Sequence, residues 1–334
     1  MNNKLSNERL VAVTGASGFI GAALCAELKE RGYSVRAFAG PHSDITGLRA
    51  MGLEIIQGGL RDAGPIGQLL DGVEGVFHLA GVAGHTFKRD AEYWDVNVTA
   101  TKELLHAAAE AGARRFVFCS TADVHGHISN PPGNEESPLA GDDIYQVTKE
   151  HGEQAALAAN GKKGLETTVI RPSRVYGPGD MRGLRIFQDL AKGSFTMYGD
   201  GENSIHPVYI SDLVEALILA YESGKAPGEA YIIAGQESIS LNKMAEIIAG
   251  AGEVELHVRR LPGAMFRLYS FICETACSFF GVEPPMSRRY VDIFVKNHSY
   301  SIDKAARDLG YQPKVGLEQG ARLTFDWYRD KGLI

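Results

Sequence analysis

Tyr145 and Lys149 stand one helical turn apart in the run Tyr145-Gln146-Val147-Thr148-Lys149, so a helix there places both on one face. A tyrosine hydroxyl with a pKa of about 10 is a poor base at neutral pH. An ammonium beside it, together with a positively charged oxidised nicotinamide, favours the phenolate and lowers that value. Tyr145 can then take the proton of a substrate alcohol, or return it to a ketone, while hydride passes to or from the nicotinamide. Lys149 would also bond the nicotinamide ribose. Thr121, just past the apolar run Phe116 to Cys119, can hydrogen-bond the substrate oxygen and fix its angle. A tyrosine four residues before a lysine is common on solvated helices, so the trio carries weight only if the surrounding elements build a dinucleotide site.

The first stretch of the chain builds one. Leu10 to Val13 is a short apolar strand that stops at Thr14, and Gly15, Gly18 and Gly21 follow at three-residue spacing before an amphipathic helix through Leu28. Gly15 permits the turn, Gly18 lets the backbone approach a pyrophosphate, and Gly21 lets the helix lie close on the sheet. The helix N-terminus offers unpaired N–H groups to an anion, which makes Gly15, Ser17, Gly18, Phe19, Ile20 and Gly21 the first candidate cofactor residues. Strand patterns recur at Tyr33–Phe38, Leu53–Gln57, Gly75–Leu79, Arg115–Cys119, Thr167–Arg171 and Ala230–Ile233. Long helices are expected at Val96–Ala111 and Tyr145–Asn160, with another at Ser211–Glu222. Strands alternating with helices imply a doubly wound α/β fold, a parallel sheet with helices on both faces. Residues 8–175 would form the dinucleotide-binding domain, with 207–235 returning to it. Residues 176–206 and 236–334 would form a smaller, mostly helical substrate lobe.

The composition narrows the field. The 334 residues are 44% hydrophobic and 22% charged, ordinary for a globular protein. A net charge of −7 without long basic runs argues against a nucleic-acid partner. Met1 to Glu8 is polar and does not read as a signal peptide. Cysteines at 25, 119, 273 and 277 have no metal-ligand spacing, so no metal is expected and a reduced, cytoplasmic setting is the simplest reading.

The chain resembles the extended short-chain dehydrogenases/reductases over nearly its whole length. The resemblance rests on Thr14 to Gly21, His78-Leu79-Ala80, Asn97-Val98, Cys119-Ser120-Thr121 and Tyr145 to Lys149, then on Arg171-Pro172 with Val175 to Gly179, Tyr209 to Leu213, and Asp303-Lys304-Ala305 with Leu309 to Pro313. It implies a Rossmann fold binding NAD or NADP, with Thr121, Tyr145 and Lys149 catalytic. Leu79, Ala80 and Arg171, Pro172 and Ser173 would lie by the cofactor, and Asn97 would have a structural role nearby. It also implies a homodimer paired through Val96–Ala111 and Tyr145–Asn160. Two departures stand out. Gly59 replaces an aspartate that commonly touches the adenine, although Leu60 can still pack on the ring. His125 stands where a Val-Tyr-Gly motif usually has tyrosine, and reads more readily as a buried structural histidine than as a pocket residue. The end of the second strand, Ala37-Phe38-Ala39-Gly40, has neither the acid that bonds ribose hydroxyls nor an arginine for a 2′-phosphate. Arg36 lies too early and alternation turns it away. His42 and Ser43 can reach a phosphate or simply form a turn. The missing acid leans the cofactor towards NADP.

The substrate residues divide three branches of the family. Sugar-nucleotide epimerases carry an arginine where this chain has Ile205, which cannot bond a diphosphate. Dehydratases read Thr-Asp-Glu where this chain has Thr121-Ala122-Asp123, so the expected acid is missing, although Asp123 can still serve as a base. The third branch resembles 3β-hydroxysteroid dehydrogenases and dihydroflavonol-type reductases. Its support is the apolar stretch Leu261–Val282, which can be a core helix, an apolar substrate wall or a peripheral membrane contact, and is too short and interrupted for a span. The expectation is an NAD(P)-dependent oxidoreductase interconverting a secondary alcohol and a ketone on a hydrophobic small molecule that is steroid-, flavonoid- or polyketide-like. A 4-epimerase (or dehydratase) with tightly bound NAD and a non-catalytic dinucleotide sensor remain as alternatives.

Overall fold

The computed structural model describes residues 9–83, 89–263, 266, 272–273 and 294–334. Seven parallel strands form its central sheet: β1 (Leu10–Thr14), β2 (Ser34–Ala39), β3 (Glu54–Gln57), β4 (Gly75–His78), β5 (Arg115–Cys119), β6 (Glu166–Pro172) and β7 (Ala230–Ile233). Their order is β7-β6-β5-β4-β1-β2-β3. Each expected strand is present, with its ends displaced by no more than one residue. The order reverses between β1 and β4, whose register pairs Thr14 with His78. In an open α/β sheet a ligand crevice opens outside the strand C-termini at such a reversal.

Alternation explains the layers. Val11 and Val13 of β1 face a core shared with helix α1 (Phe19–Glu30), while Ala12 faces the opposite core with Val76, Phe116 and Phe118. On that second face lie helix α2 (Thr101–Glu110) and helix α3 (Ile144–Ala159), supplying Leu104, Leu105 and Ala156. Helix α4 (Ile210–Glu222) returns to the α1 face through Leu213 and Leu217. A third, separate core gathers Phe187, Leu190, Met197, Met244, Phe325 and Tyr328.

Two local features differ from expectation. The helix expected at Val96–Ala111 is preceded by a turn of α-helix (Asp90–Trp94), opens as a π-helical segment (Asp95–Ala100) and only then becomes α2. A π-segment is a short insertion within an otherwise helical stretch, and the residue types from Asp95 to Ala100 do not single it out. In the smaller lobe, His257–Leu261 is a strand pairing in parallel with Ser194–Tyr198. Its first four residues are exposed, so it has no apolar alternation to announce it. The apolar stretch Leu261–Val282 falls almost wholly outside the described residues. Within it, Phe266 is buried and stacks on Tyr198, and Ile272 is exposed. Met1 to Glu8 also lies outside them. Among the described residues no helix is long and apolar enough to cross a membrane, and no cluster of His, Cys, Asp or Glu could hold a metal.

Candidate active site

The turn between β1 and α1 is built for glycine. Gly15 has φ +70°, and a Cβ there would stand 2.7 Å from the Ala80 nitrogen. A Cβ at Gly21 would collide with the Gly15 carbonyl. Gly18 caps α1 with no side-chain hydrogen bond, and no acidic residue stands in the first turn. Among the described residues no side chain caps this positive helix end and no acid stands in its first turn, so the cradle fits a pyrophosphate. At the end of β2, Arg36 is turned away as alternation requires. It pairs with Glu54 at 2.8 Å and donates to the carbonyls of Gln68, Leu69 and Asp71. Gly59 has a local reason: its N–H donates to Asp62 at 2.7 Å, and a Cβ would crowd that carboxylate.

A buried relay ties the strand ends together. The Ala80 N–H donates to Thr14 Oγ1 (3.2 Å), which lies 2.7 Å from His78 Nδ1. His78 Nε2 lies 3.0 Å from Thr101 Oγ1, and Thr101 donates to the Asn97 carbonyl at 2.9 Å. Every group is satisfied when the imidazole is neutral with its proton on Nε2, and burial pushes the His78 pKa down to about 3. Asn97, in the π-segment, accepts from Val82 N–H (2.8 Å) and donates to the Val82 carbonyl and to Thr148 Oγ1, both at 3.1 Å. It therefore clamps the segment after β4 to α3, one residue before Lys149.

Helix α3 starts at a side-chain cap, Asp143, which accepts from Gln146 N–H at 2.8 Å and sets the phase of Tyr145 and Lys149. Lys149 is buried. Its Nζ donates to the Cys119 carbonyl at the end of β5 (2.6 Å) and lies 4.2 Å from the Phe118 ring centre. Burial pushes its pKa down to about 8. Thr121 Oγ1 accepts from Asp123 N–H at 3.2 Å, capping the turn Ala122–His125 and leaving its own O–H to donate.

Thr121, Tyr145 and Lys149 line one pocket with Ile20 and Leu79 on one side and Pro172, Ser173, Asp123 and Ile205 around them. Arg171 is not on that wall. It lies behind it, buried, with Nε 3.1 and 3.0 Å from the two Glu153 oxygens and Nη1 3.1 Å from His125 Nε2. His125 Nδ1 faces the carbonyls of Ser137 and Pro138, which makes it a structural histidine joining the loop after β5 to β6. Leu60 packs at the edge of the core beside β3, and Gly40 closes β2 against Ser43. The pocket also holds residues for which no role was expected. Ser120 is buried there with no partner for its hydroxyl. Arg174, Asp180, Arg182, His298 and Tyr300 also line it. Ser120 was visible only as a neighbour of Thr121. His298 and Tyr300 are brought in by long-range contacts, with Tyr300 Oη donating to the Ala122 carbonyl at 3.2 Å.

Fold and pocket together define an α/β oxidoreductase of the short-chain dehydrogenase/reductase type. Residues 11–234 match the model of the NAD dependent epimerase/dehydratase family. The chain is 32% identical over 326 residues to a 2-alkyl-3-oxoalkanoate reductase of Stenotrophomonas maltophilia, covering 93% of this chain and 97% of the relative. It is also 32% identical over 339 residues to a 3 beta-hydroxysteroid dehydrogenase/Delta 5-->4-isomerase of Mycobacterium tuberculosis, covering 95% and 90%. Among solved structures, MoeE5 in complex with UDP-glucuronic acid and NAD superposes with a TM-score of 0.76 at 26% identity, over 96% of this chain and 99% of that one. The chain belongs to the NAD-dependent epimerase/dehydratase family, as its motifs led one to expect.

Proposed function

We propose that this protein interconverts a secondary alcohol and a ketone on a hydrophobic small molecule. The observation that carries the reading is the buried Lys149 sharing a pocket with Tyr145 and Thr121, beside the glycine turn at the strand-order reversal. A nicotinamide dinucleotide, when bound along Gly15–Gly21, supplies the hydride acceptor or donor. Tyr145 exchanges the proton at its phenolic oxygen, and the Lys149 ammonium favours the phenolate. Thr121 donates its O–H to the substrate oxygen and fixes the angle of approach. Asn97 and His78 hold the segment after β4 against α3 and keep these groups in place. Leu79, Ala80, Pro172 and Ser173 border the cofactor, with Gly40 and Leu60 towards its adenosine end.

Finer points belong to the same proposal. NADP is preferred because the end of β2 offers no acid to ribose hydroxyls. Residues 8–175 with 207–235 hold the cofactor, and 176–206 with 236–334 hold the substrate. A homodimer pairs through Val96–Ala111 and Tyr145–Asn160, as the family resemblance implies, and the protein works in the cytoplasm. The 2-alkyl-3-oxoalkanoate named for the Stenotrophomonas relative, a ketone among apolar chains, is of the expected substrate class. The epimerase alternative is disfavoured by Ile205, buried on the pocket wall where a diphosphate would need an arginine.

The test combines native mass spectrometry with a Tyr145→Phe variant. Reversible cofactor binding, with apolar ketone reduction lost by about a thousandfold in the variant, is the expected result. Stoichiometric NAD that survives purification, with turnover of sugar nucleotides alone, would replace this reading with the epimerase. Unchanged turnover in the variant would remove the catalytic role of Tyr145.

A further inference from the structure

We propose that Glu153 is a positioning residue that acts through Lys149, its buried carboxylate being the counter-charge that keeps Lys149 an ammonium at working pH. The consequence for catalysis rests on the alcohol–ketone reading of Tyr145, Lys149 and Thr121, whereas the charge on Lys149 does not.

Tyr145, Lys149 and Glu153 follow one another at four-residue spacing on α3, so each side chain neighbours the next on one stripe, with Cβ atoms about 5–6 Å apart. Lys149 and Glu153 are both buried. Gly152 lets the helix lie this close to the sheet, since a Cβ there would stand 2.6 Å from the Asn97 carbonyl oxygen and 3.0 Å from the Phe118 ring. A carboxylate so far from water needs charged donors, and Arg171 supplies them in pairs from Nε and Nη2. Arg171 Nη1 donates elsewhere, to His125 Nε2 (3.1 Å) and the Glu135 carbonyl (3.2 Å). Glu153 acts on the Lys149 charge, and Arg171 is not among the groups that do.

Among the described residues, the other titratable and charged groups around α3 leave Lys149 uncompensated. Cys119 could oppose burial only as a thiolate, and burial pushes its thiol pKa up, so only its carbonyl meets the ammonium. His78, from β4, is neutral, with its pKa pushed down to about 3. His125, in the turn after β5, accepts from Arg171 and is held neutral by burial. Asp123, in the same turn, acts on His298 and Tyr300 and not on Lys149. On the helical segments packed against α3, Glu92 pairs with Arg89, and Asp95 and Glu103 are exposed beside Arg61. Burial lowers the Lys149 pKa, Glu153 raises it, and the balance falls at about 8. A group poised there loses its charge near neutrality once the opposing carboxylate is removed.

Carbon NMR of the full chain carrying 13Cε-labelled lysine reads the Lys149 charge directly, its signal assigned by its absence from Lys149→Met. In Glu153→Gln the titration midpoint of Lys149 should fall by about one pH unit. Glu153→Met with Arg171→Met in one chain replaces the pair by apolar groups, an exchange that buried pairs tolerate, and should show the same fall. Arg171→Met alone breaks the same pair but leaves the carboxylate, and should not lower the midpoint. With the midpoint moved from about 8 to about 7, ketone reduction by either variant lacking Glu153 should drop about fivefold at pH 8 and less than about twofold at pH 6. A midpoint that falls by less than about 0.3 pH units in the double variant, or that falls equally in Arg171→Met, overturns the counter-charge. A fall confined to the variants lacking Glu153, in a protein that turns over no ketone, sustains the counter-charge and removes the alcohol–ketone reading instead.

Discussion

The two walls of the pocket are made differently. The sheet-side wall carries Lys149, and behind it Asn97, Thr148, His78, Thr14 and Thr101 are all buried and hydrogen-bonded close to the strand ends. The lobe-side wall is assembled from distant segments, with Arg174 and Arg182 exposed on loops and His298 and Tyr300 arriving from far along the chain. The first wall fixes a proton-transfer geometry that serves any alcohol. The second meets whatever is attached to that alcohol. Changes in the first should cost rate or fold, and changes in the second should cost selectivity.

The largest effect should follow loss of the buried ammonium. Lys149→Met should reduce kcat by about a hundredfold to ten-thousandfold while the protein stays folded, since methionine fills a similar volume without a charge. Circular dichroism with single-turnover kinetics checks both halves. A kcat within a few-fold of wild type would mean that the sheet-side wall is scaffolding alone.

Next in size is the strut behind that wall. Glu153 and Arg171 are both buried, and removing one partner leaves the other charge desolvated. Arg171→Met should cost about 3–5 kcal/mol in urea unfolding. At a temperature where the variant is folded, its cofactor KM should stay near wild type because Arg171 is absent from the pocket lining. A raised cofactor KM with little loss of stability would instead return Arg171 to the nicotinamide.

That pair also marks what could be read in advance. The strands, the glycine turn and the Tyr145–Lys149 spacing are local signals, carried by apolar alternation, by positions where a Cβ does not fit, and by helical periodicity. The family resemblance implied that Arg171, with Pro172 and Ser173, would lie by the cofactor. Pro172 and Ser173 do line the pocket, whereas the Arg171 guanidinium is held away from it by Glu153 and His125, long-range partners that no local pattern announces. The π-segment around Asn97 and the strand His257–Leu261 left no periodic trace. Arg174, Arg182, His298 and Tyr300 are pocket residues only through long-range contacts, because their neighbours in sequence say nothing about their neighbours in space.

The smallest effect expected is on the pH dependence of stability, and it again contrasts the walls. Burial holds the folded-state pKa of His78 down at about 3 against an ordinary 6.5. Between those values the unfolded chain binds a proton that the native protein does not, so stability is whole above pH 6.5 and declines as pH falls towards 3. Each such group contributes a slope of about 1 kcal/mol per pH unit in that window. His125, His206 and His298 are shifted in the same direction by burial, so the wild-type slope below pH 6 is a sum. His78→Gln should lower that slope by about one group's share, measured by urea unfolding at several pH values between 6 and 4.5. Arg182→Gln, on an exposed side chain, should leave slope and stability within about 0.5 kcal/mol of wild type. If Arg182→Gln flattened the slope as much as His78→Gln did, the lobe-side wall would be as tightly coupled to folding as the sheet-side one. The division of labour between the two walls would then fail.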